Sequence, residues 1–146
     1  MEESRALFVR RHLVFGWWSL LIFMLLGTGL ELLHGYKHPL ILDVSNEMRR
    51  MMWRLSHAHG ALLGLLHLGL AATLVAVPAL PRRKLISRCL IAASLLLPGG
   101  FFLGGLIVYE QDPWVGVLLA PIGAATLLLA VLLTAMGVSA KAPRED

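Results

Sequence analysis

Two histidine-rich stretches hold most of the residues that could do chemistry. In the first, Glu31-Leu32-Leu33-His34 is followed by His38; in the second, Ser56-His57-Ala58-His59-Gly60 is followed by His67. Tyr109 and Glu110 add a phenol and a further carboxylate. Helical positions i and i+3 share a face, so Glu31 and His34 would project together, in the Glu-x-x-His spacing that supplies ligands in di-iron carboxylate bundles. Imidazole and carboxylate without thiolate suit zinc, iron or copper. Cys89 is the one cysteine, so there is no intramolecular disulfide and no cysteine cluster. A bis-histidine haem takes its ligands from facing helices at one depth, a condition that His34 against His57 or His59 would meet. No nucleophile–base pair, phosphate loop or dinucleotide fingerprint is present. Ser56 and His57 are adjacent and point about 100° apart on a helix, which makes no catalytic pair. The chain reads more as a binding or interaction protein than as an enzyme.

The elements that must position these residues follow from composition. Hydrophobic residues make up 58% of the 146 and charged residues 15%, with a mean hydropathy of +0.75. A soluble domain carries about 25% charged residues, so this chain cannot cover a water-facing surface. A soluble globule, a disordered chain and a disulfide scaffold are all excluded. Four segments reach the roughly 20 apolar residues that a spanning helix needs: Leu13–Leu33, Met51–Val77, Leu85–Tyr109 and Trp114–Val138. The first follows a basic lead-in, yet its apolar stretch exceeds that of a signal peptide and no Ala-x-Ala site follows, so it reads as a retained helix. The net charge of +4 sits in short clusters between apolar runs, with no basic stripe interleaved with aromatics, which excludes a nucleic-acid partner.

Those clusters set the topology. Arg5, Arg10 and Arg11 precede the first segment, Arg82, Arg83, Lys84 and Arg88 surround the second turn, and Lys141 and Arg144 end the chain. These nine basic residues fall on one side, against Lys37, Arg49, Arg50 and Arg54 on the other. The expected fold is therefore all-α: one integral membrane domain over residues 1–146, an antiparallel four-helix bundle with both termini cytoplasmic. Short proline-bearing turns, Pro78–Lys84 and Gln111-Asp112-Pro113, make the last three helices neighbours, with Pro113 suited to the first position of the fourth. Since the first helix runs outward and the second inward, Glu31, His34, His57, His59 and Glu110 are expected at one depth near the outer face. Trp53, His57, Gly60, Gly64 and His67 share a stripe of the second helix. His67 lies near mid-membrane with no histidine expected at its depth, and reads as a core residue bonded to Ser19 or to a backbone carbonyl. The run Pro98–Gly105 is expected to break or seam the third helix. The small residues Gly60, Gly64, Gly100 and Gly104 suggest close helix contacts within or between subunits, and so a homo-oligomer or a larger membrane complex.

The run Trp53-Arg54-Leu55-Ser56-His57-Ala58-His59-Gly60 resembles the histidine-bearing helices of haem-copper oxidase subunit I and related haem membrane proteins over its eight residues. That subunit has many more spans, and its partner histidines have no counterpart here, so no binuclear centre is carried over. The chain as a whole is similar to uncharacterised small four-span bacterial membrane proteins with a His-Ala-His-Gly segment and a Gly-Phe-Phe-Leu-Gly-Gly third helix. This likeness implies the bacterial inner membrane and no particular activity. Two functions follow as expectations. In one, His34, His57 and His59 hold a haem, or together with Glu31 and Glu110 a transition metal, in a respiratory or redox-linked role. In the other, the cluster is structural and the protein is an accessory subunit of a larger membrane complex.

Overall fold

The computed structural model describes residues 2–39, 47–110 and 112–140. Four helices dominate: α1 (Glu2–Gly35), α2 (Glu47–Ala76), α3 (Arg83–Gly104) and α4 (Leu119–Ser139). All four are long and apolar enough to cross a membrane. The shortest of them, α4 with 21 residues, reaches about 30 Å at 1.5 Å per residue, the thickness of a bilayer's hydrocarbon core.

Local chemistry sets the helix ends. At the end of α1, Lys37 takes the left-handed φ of 53° that glycine usually occupies, while the His38 N–H donates to the Leu33 carbonyl (2.9 Å) and the Lys37 N–H to the His34 carbonyl (3.1 Å). This closes the helix as a Schellman motif. Glu47 sets a carboxylate in the first turn of α2, where the helix dipole favours it. The third helix stops at Gly104, short of the expected Tyr109, because Gly104 and Gly105 are both poor helix formers. The chain then forms two short strands, β1 (Val108–Tyr109) and β2 (Asp112–Pro113), paired antiparallel with Val108 opposite Pro113. Pro113 thus sits in this ladder rather than at the start of a helix, and a 3₁₀ turn over Val115–Leu118 leads into α4. At the other end of the chain, α1 starts well before the expected Leu13, because Arg5, Arg10 and Arg11 interrupt the hydropathy without interrupting the helix.

Each helix packs on its neighbour in sequence: α1 on α2, α2 on α3, α3 on α4. Among the described residues α1 and α4 share no interface of comparable size, so the helices form an open row rather than a closed ring. Leu63, Leu70 and Leu74 of α2 meet Ile86, Leu90, Ala93 and Leu97 of α3 in the core, joined by Ala120 and Ala130 of α4. Glycine permits the closest approaches. A β-carbon at Gly16 would stand 2.9 Å from the Gly64 carbonyl oxygen, and one at Gly100 would stand 2.6 Å from the Ala120 nitrogen. Gly60, Gly64, Gly100 and Gly104 are all buried against other helices or turns of the same chain. What the row leaves exposed is apolar: Trp17, Trp18, Leu21 and Leu25 on α1, and Leu128, Val131 and Leu132 on α4.

Candidate functional site

The residues expected to cluster near one end of the helices are only partly brought together. Glu31, His34 and His57 line one cavity of about 430 Å³, which they share with Arg50 and Arg54. His57 is half-buried, and its Nδ1–H donates to the Phe23 carbonyl at 2.6 Å, which leaves Nε2 as the lone-pair nitrogen. Its ring fits against α1 because position 27 is glycine; any side chain there would collide with it. His59 points elsewhere. Two positions along a helix lie about 200° apart, and the His59 ring tilts against Phe101 of α3, 5.0 Å between centroids, while its Nδ1–H donates to the Leu55 carbonyl. Glu110 is exposed at the tip of the β1–β2 hairpin, at φ 49°, and does not line the cavity. Among the described residues, no three His, Cys, Asp or Glu side chains stand close enough together to hold a metal ion.

The tightest polar constellation is elsewhere. His12 of α1 and His67 of α2 are both wholly buried, with their Nδ1 atoms 2.6 Å apart. Two nitrogens bound to one tetrahedral zinc at about 2.0–2.1 Å each would be held roughly 3.3 Å apart, so this separation is that of a hydrogen bond and not of a metal bridge. The chain continues at both ends. His12 Nε2 is 2.9 Å from Ser87 Oγ, and His67 Nε2 is 3.0 Å from Ser94 Oγ, both serines belonging to α3. Ser94 also reaches the Leu90 carbonyl at 2.8 Å, and Phe15 covers the His67 ring at 4.3 Å between centroids. Four side chains on three helices thus form one continuous line.

Saturation of that line fixes the direction of its protons. The carbonyl of Leu90 can only accept, so the Ser94 hydroxyl donates to it and accepts from the His67 Nε2–H. His67 Nδ1 is then the acceptor, filled by the His12 Nδ1–H. His12 Nε2 accepts in turn from the Ser87 hydroxyl. Four bonds run head to tail from Ser87 to Leu90, with both imidazoles in their neutral forms. The opposite direction makes three of these contacts and leaves the Leu90 carbonyl without its hydroxyl donor. Ser87 and Ser94 are seven residues apart on α3, so the line extends over about 10 Å along that helix.

Ser94 also borders an apolar groove of about 690 Å³ between α1 and α3, walled by Val14, Trp18, Leu95, Pro98 and Phe102. Ser56 of α2 lies at its floor, fully buried, and is the one buried side chain whose hydroxyl has no partner among the described residues.

Sequence reasoning found His67 and its core burial but gave it Ser19 or a backbone carbonyl as a partner, where the structure gives it His12 and Ser94. Ser19 instead donates to the Gly60 carbonyl at 3.3 Å. His12, Ser87 and Ser94 were missed. The signal that could have found them is periodicity: Ser87 and Ser94 are two turns apart on one face of α3, and His12 stands at the head of the apolar run of α1. Compared with known proteins, the chain matches no family model, no curated protein and no solved structure.

Proposed function

We propose that the protein is a four-span integral membrane protein of the bacterial inner membrane, its helices antiparallel and both termini cytoplasmic, and that it relays protons through the buried line Ser87–His12–His67–Ser94. Nine basic residues on one side and four on the other support the orientation. The exposed apolar surfaces of α1 and α4 support placement in lipid, since water-soluble monomers rarely expose contiguous apolar patches on this scale. One observation carries the function: two facing imidazoles with their Nδ1 atoms 2.6 Å apart, each bonded at its far nitrogen to a hydroxyl. Imidazole takes a proton on one nitrogen and gives one from the other, which is how it serves as a shuttle. A proton entering at Ser87 from water and one leaving at Ser94 to a water molecule admitted by the groove would reverse every donor in the line, and rotation of the hydroxyls and reorientation of the rings restores the order. In this topology Ser87 lies just inside the basic cytoplasmic turn, and Ser94 opens on the groove between α1 and α3. The line covers about a third of the hydrocarbon thickness, so it connects a cytoplasmic end to a buried groove rather than crossing the bilayer.

Solvent exchange of the ring protons tests this. In protein labelled with ¹⁵N-histidine and held in lipid nanodiscs, the N–H protons of His12 and His67 should exchange with water far faster than the amides of Leu63 and Leu90, and Ser87→Ala should slow them at least tenfold. Ring protons as protected as those amides in the wild type would make the pair a structural pin and end the relay reading.

A further inference from the structure

We infer that the cavity between the ends of α1 and α2 binds a phosphoethanolamine-type zwitterion, with its phosphate on Arg50 and Arg54 and its ammonium on Glu31. Charge is the first argument. The cavity gathers two guanidinium groups and one carboxylate, with His34 and His57 beside them. A metal cation seated there would face two fixed positive charges, and a simple dianion would face Glu31; a ligand carrying both signs meets both. Guanidinium presents a planar fork of donors matched to phosphate oxygens, and a primary ammonium donates up to three hydrogen bonds to a carboxylate.

Position is the second argument. Arg50 and Arg54 are one turn apart on the first turns of α2, so they share a face, and Glu31 and His34 share a face of α1 opposite them. The same cavity is walled by Met24 and Leu30, with Met24 largely exposed towards its surroundings. Apolar wall on one side and charges on the other match a molecule with a hydrocarbon part and a charged head. Basic pockets between spanning helices are a known way of holding lipid headgroups. His57 contributes through Nε2, its other nitrogen being committed to Phe23. This inference shares only the membrane placement with the relay reading, and it stands or falls on different residues.

The test is headgroup retention. Wild-type protein in nanodiscs of equal parts phosphatidylethanolamine, phosphatidylglycerol and phosphatidylcholine is released for native mass spectrometry. Phosphatidylethanolamine should be retained over both others, because glycerol carries no charge for Glu31 and choline has no N–H to donate. Arg54→Gln should lower its retention about tenfold, the effect of losing one charge-assisted contact. Glu31→Gln should abolish the preference over phosphatidylglycerol while leaving phosphate binding in place. Both side chains are exposed at the cavity rim, so neither change disturbs the core. Titration of delipidated protein with O-phosphoethanolamine, followed by ³¹P NMR, separates the two sources of this chemistry: binding of the free ester as tight as that of the lipid assigns a soluble ligand, and binding of the lipid alone assigns a headgroup. Equal retention of the three lipids, a preference that survives both variants, or stoichiometric metal lost on His57→Ala would overturn the inference.

Discussion

The proton order of the buried line makes an asymmetric prediction for its two ends. Removing the Ser94 hydroxyl takes the acceptor from the His67 Nε2–H, leaving a buried donor without a partner and two of the four bonds intact. Such an orphan costs about 1–3 kcal/mol. The line has an alternative. If both rings change tautomer, His67 donates from Nδ1 to His12 and His12 donates from Nε2 to Ser87. That arrangement also makes two bonds, so Ser94→Ala should remove the preference and let both rings populate both tautomers. Ser87→Ala should not. With Ser87 gone, the original order still makes three bonds and the reversed order only two. Interhelical hydrogen bonds in membrane proteins average about 0.6 kcal/mol and reach about 1.7, so either variant should lose roughly 1–2 kcal/mol and remain folded. The assay is the ¹⁵N shift pattern of the two rings, which distinguishes Nδ1–H from Nε2–H forms directly. The same tautomers in wild type, Ser87→Ala and Ser94→Ala would refute the assigned direction.

Other consequences are sharper on packing and topology. Gly27→Ala places a methyl group in the space of the His57 ring, so it should break the bond to the Phe23 carbonyl and shift the His57 ¹⁵N signals while leaving those of His12 and His67 unchanged. Gly100→Leu drives a side chain into the backbone of α4 at Ala120, and should destabilise the chain by about 1–3 kcal/mol in a steric-trap or denaturant assay; an effect confined to subunit association, with the monomer's stability unchanged, would contradict the packing. Cysteines introduced at Arg82 and Asp112 should be labelled from opposite sides of intact membranes, with buried Cys89 giving little background; labelling of both from one side would refute the topology.

Much of the architecture was legible because long apolar runs mark helices able to cross a membrane. A spanning segment must be apolar for about 20 residues, and Leu13–Leu33, Met51–Val77, Leu85–Tyr109 and Trp114–Val138 each overlap one helix. The errors lie where hydropathy says little about backbone. Arg5, Arg10 and Arg11 are good helix formers, so α1 extends through them to Glu2, whereas Leu106, Ile107 and Val108 are apolar but follow two glycines and leave the helix. The row arrangement was not legible either. Whether α1 meets α4 depends on which faces carry small residues, and the two α1 glycines in close contact, Gly16 and Gly27, both face α2.

The same two facts explain why the pairing of His12 with His67 was not legible. Starting the first helix at Leu13 put His12 outside it, and with it the α1 imidazole that bonds His67. The contacts between α1 and α2 pair Gly27 with His57, Phe23 with Gly60, Gly16 with Gly64, and His12 with His67. In that register His34 lies seven residues beyond Gly27, about 10 Å further along α1, so it can border the same cavity as His57 without sharing a ligand with it. Periodicity alone ranks His57, His59 and His67 equally, since each stands on a helix among apolar neighbours. The register separates them, because a side chain's partners come from the residues at its own level on the next helix. At the level of His57 that helix offers a glycine and a carbonyl, enough to seat a ring and fix one nitrogen. At the level of His67 it offers a second imidazole, with a serine of α3 beyond each ring, and a proton has somewhere to go.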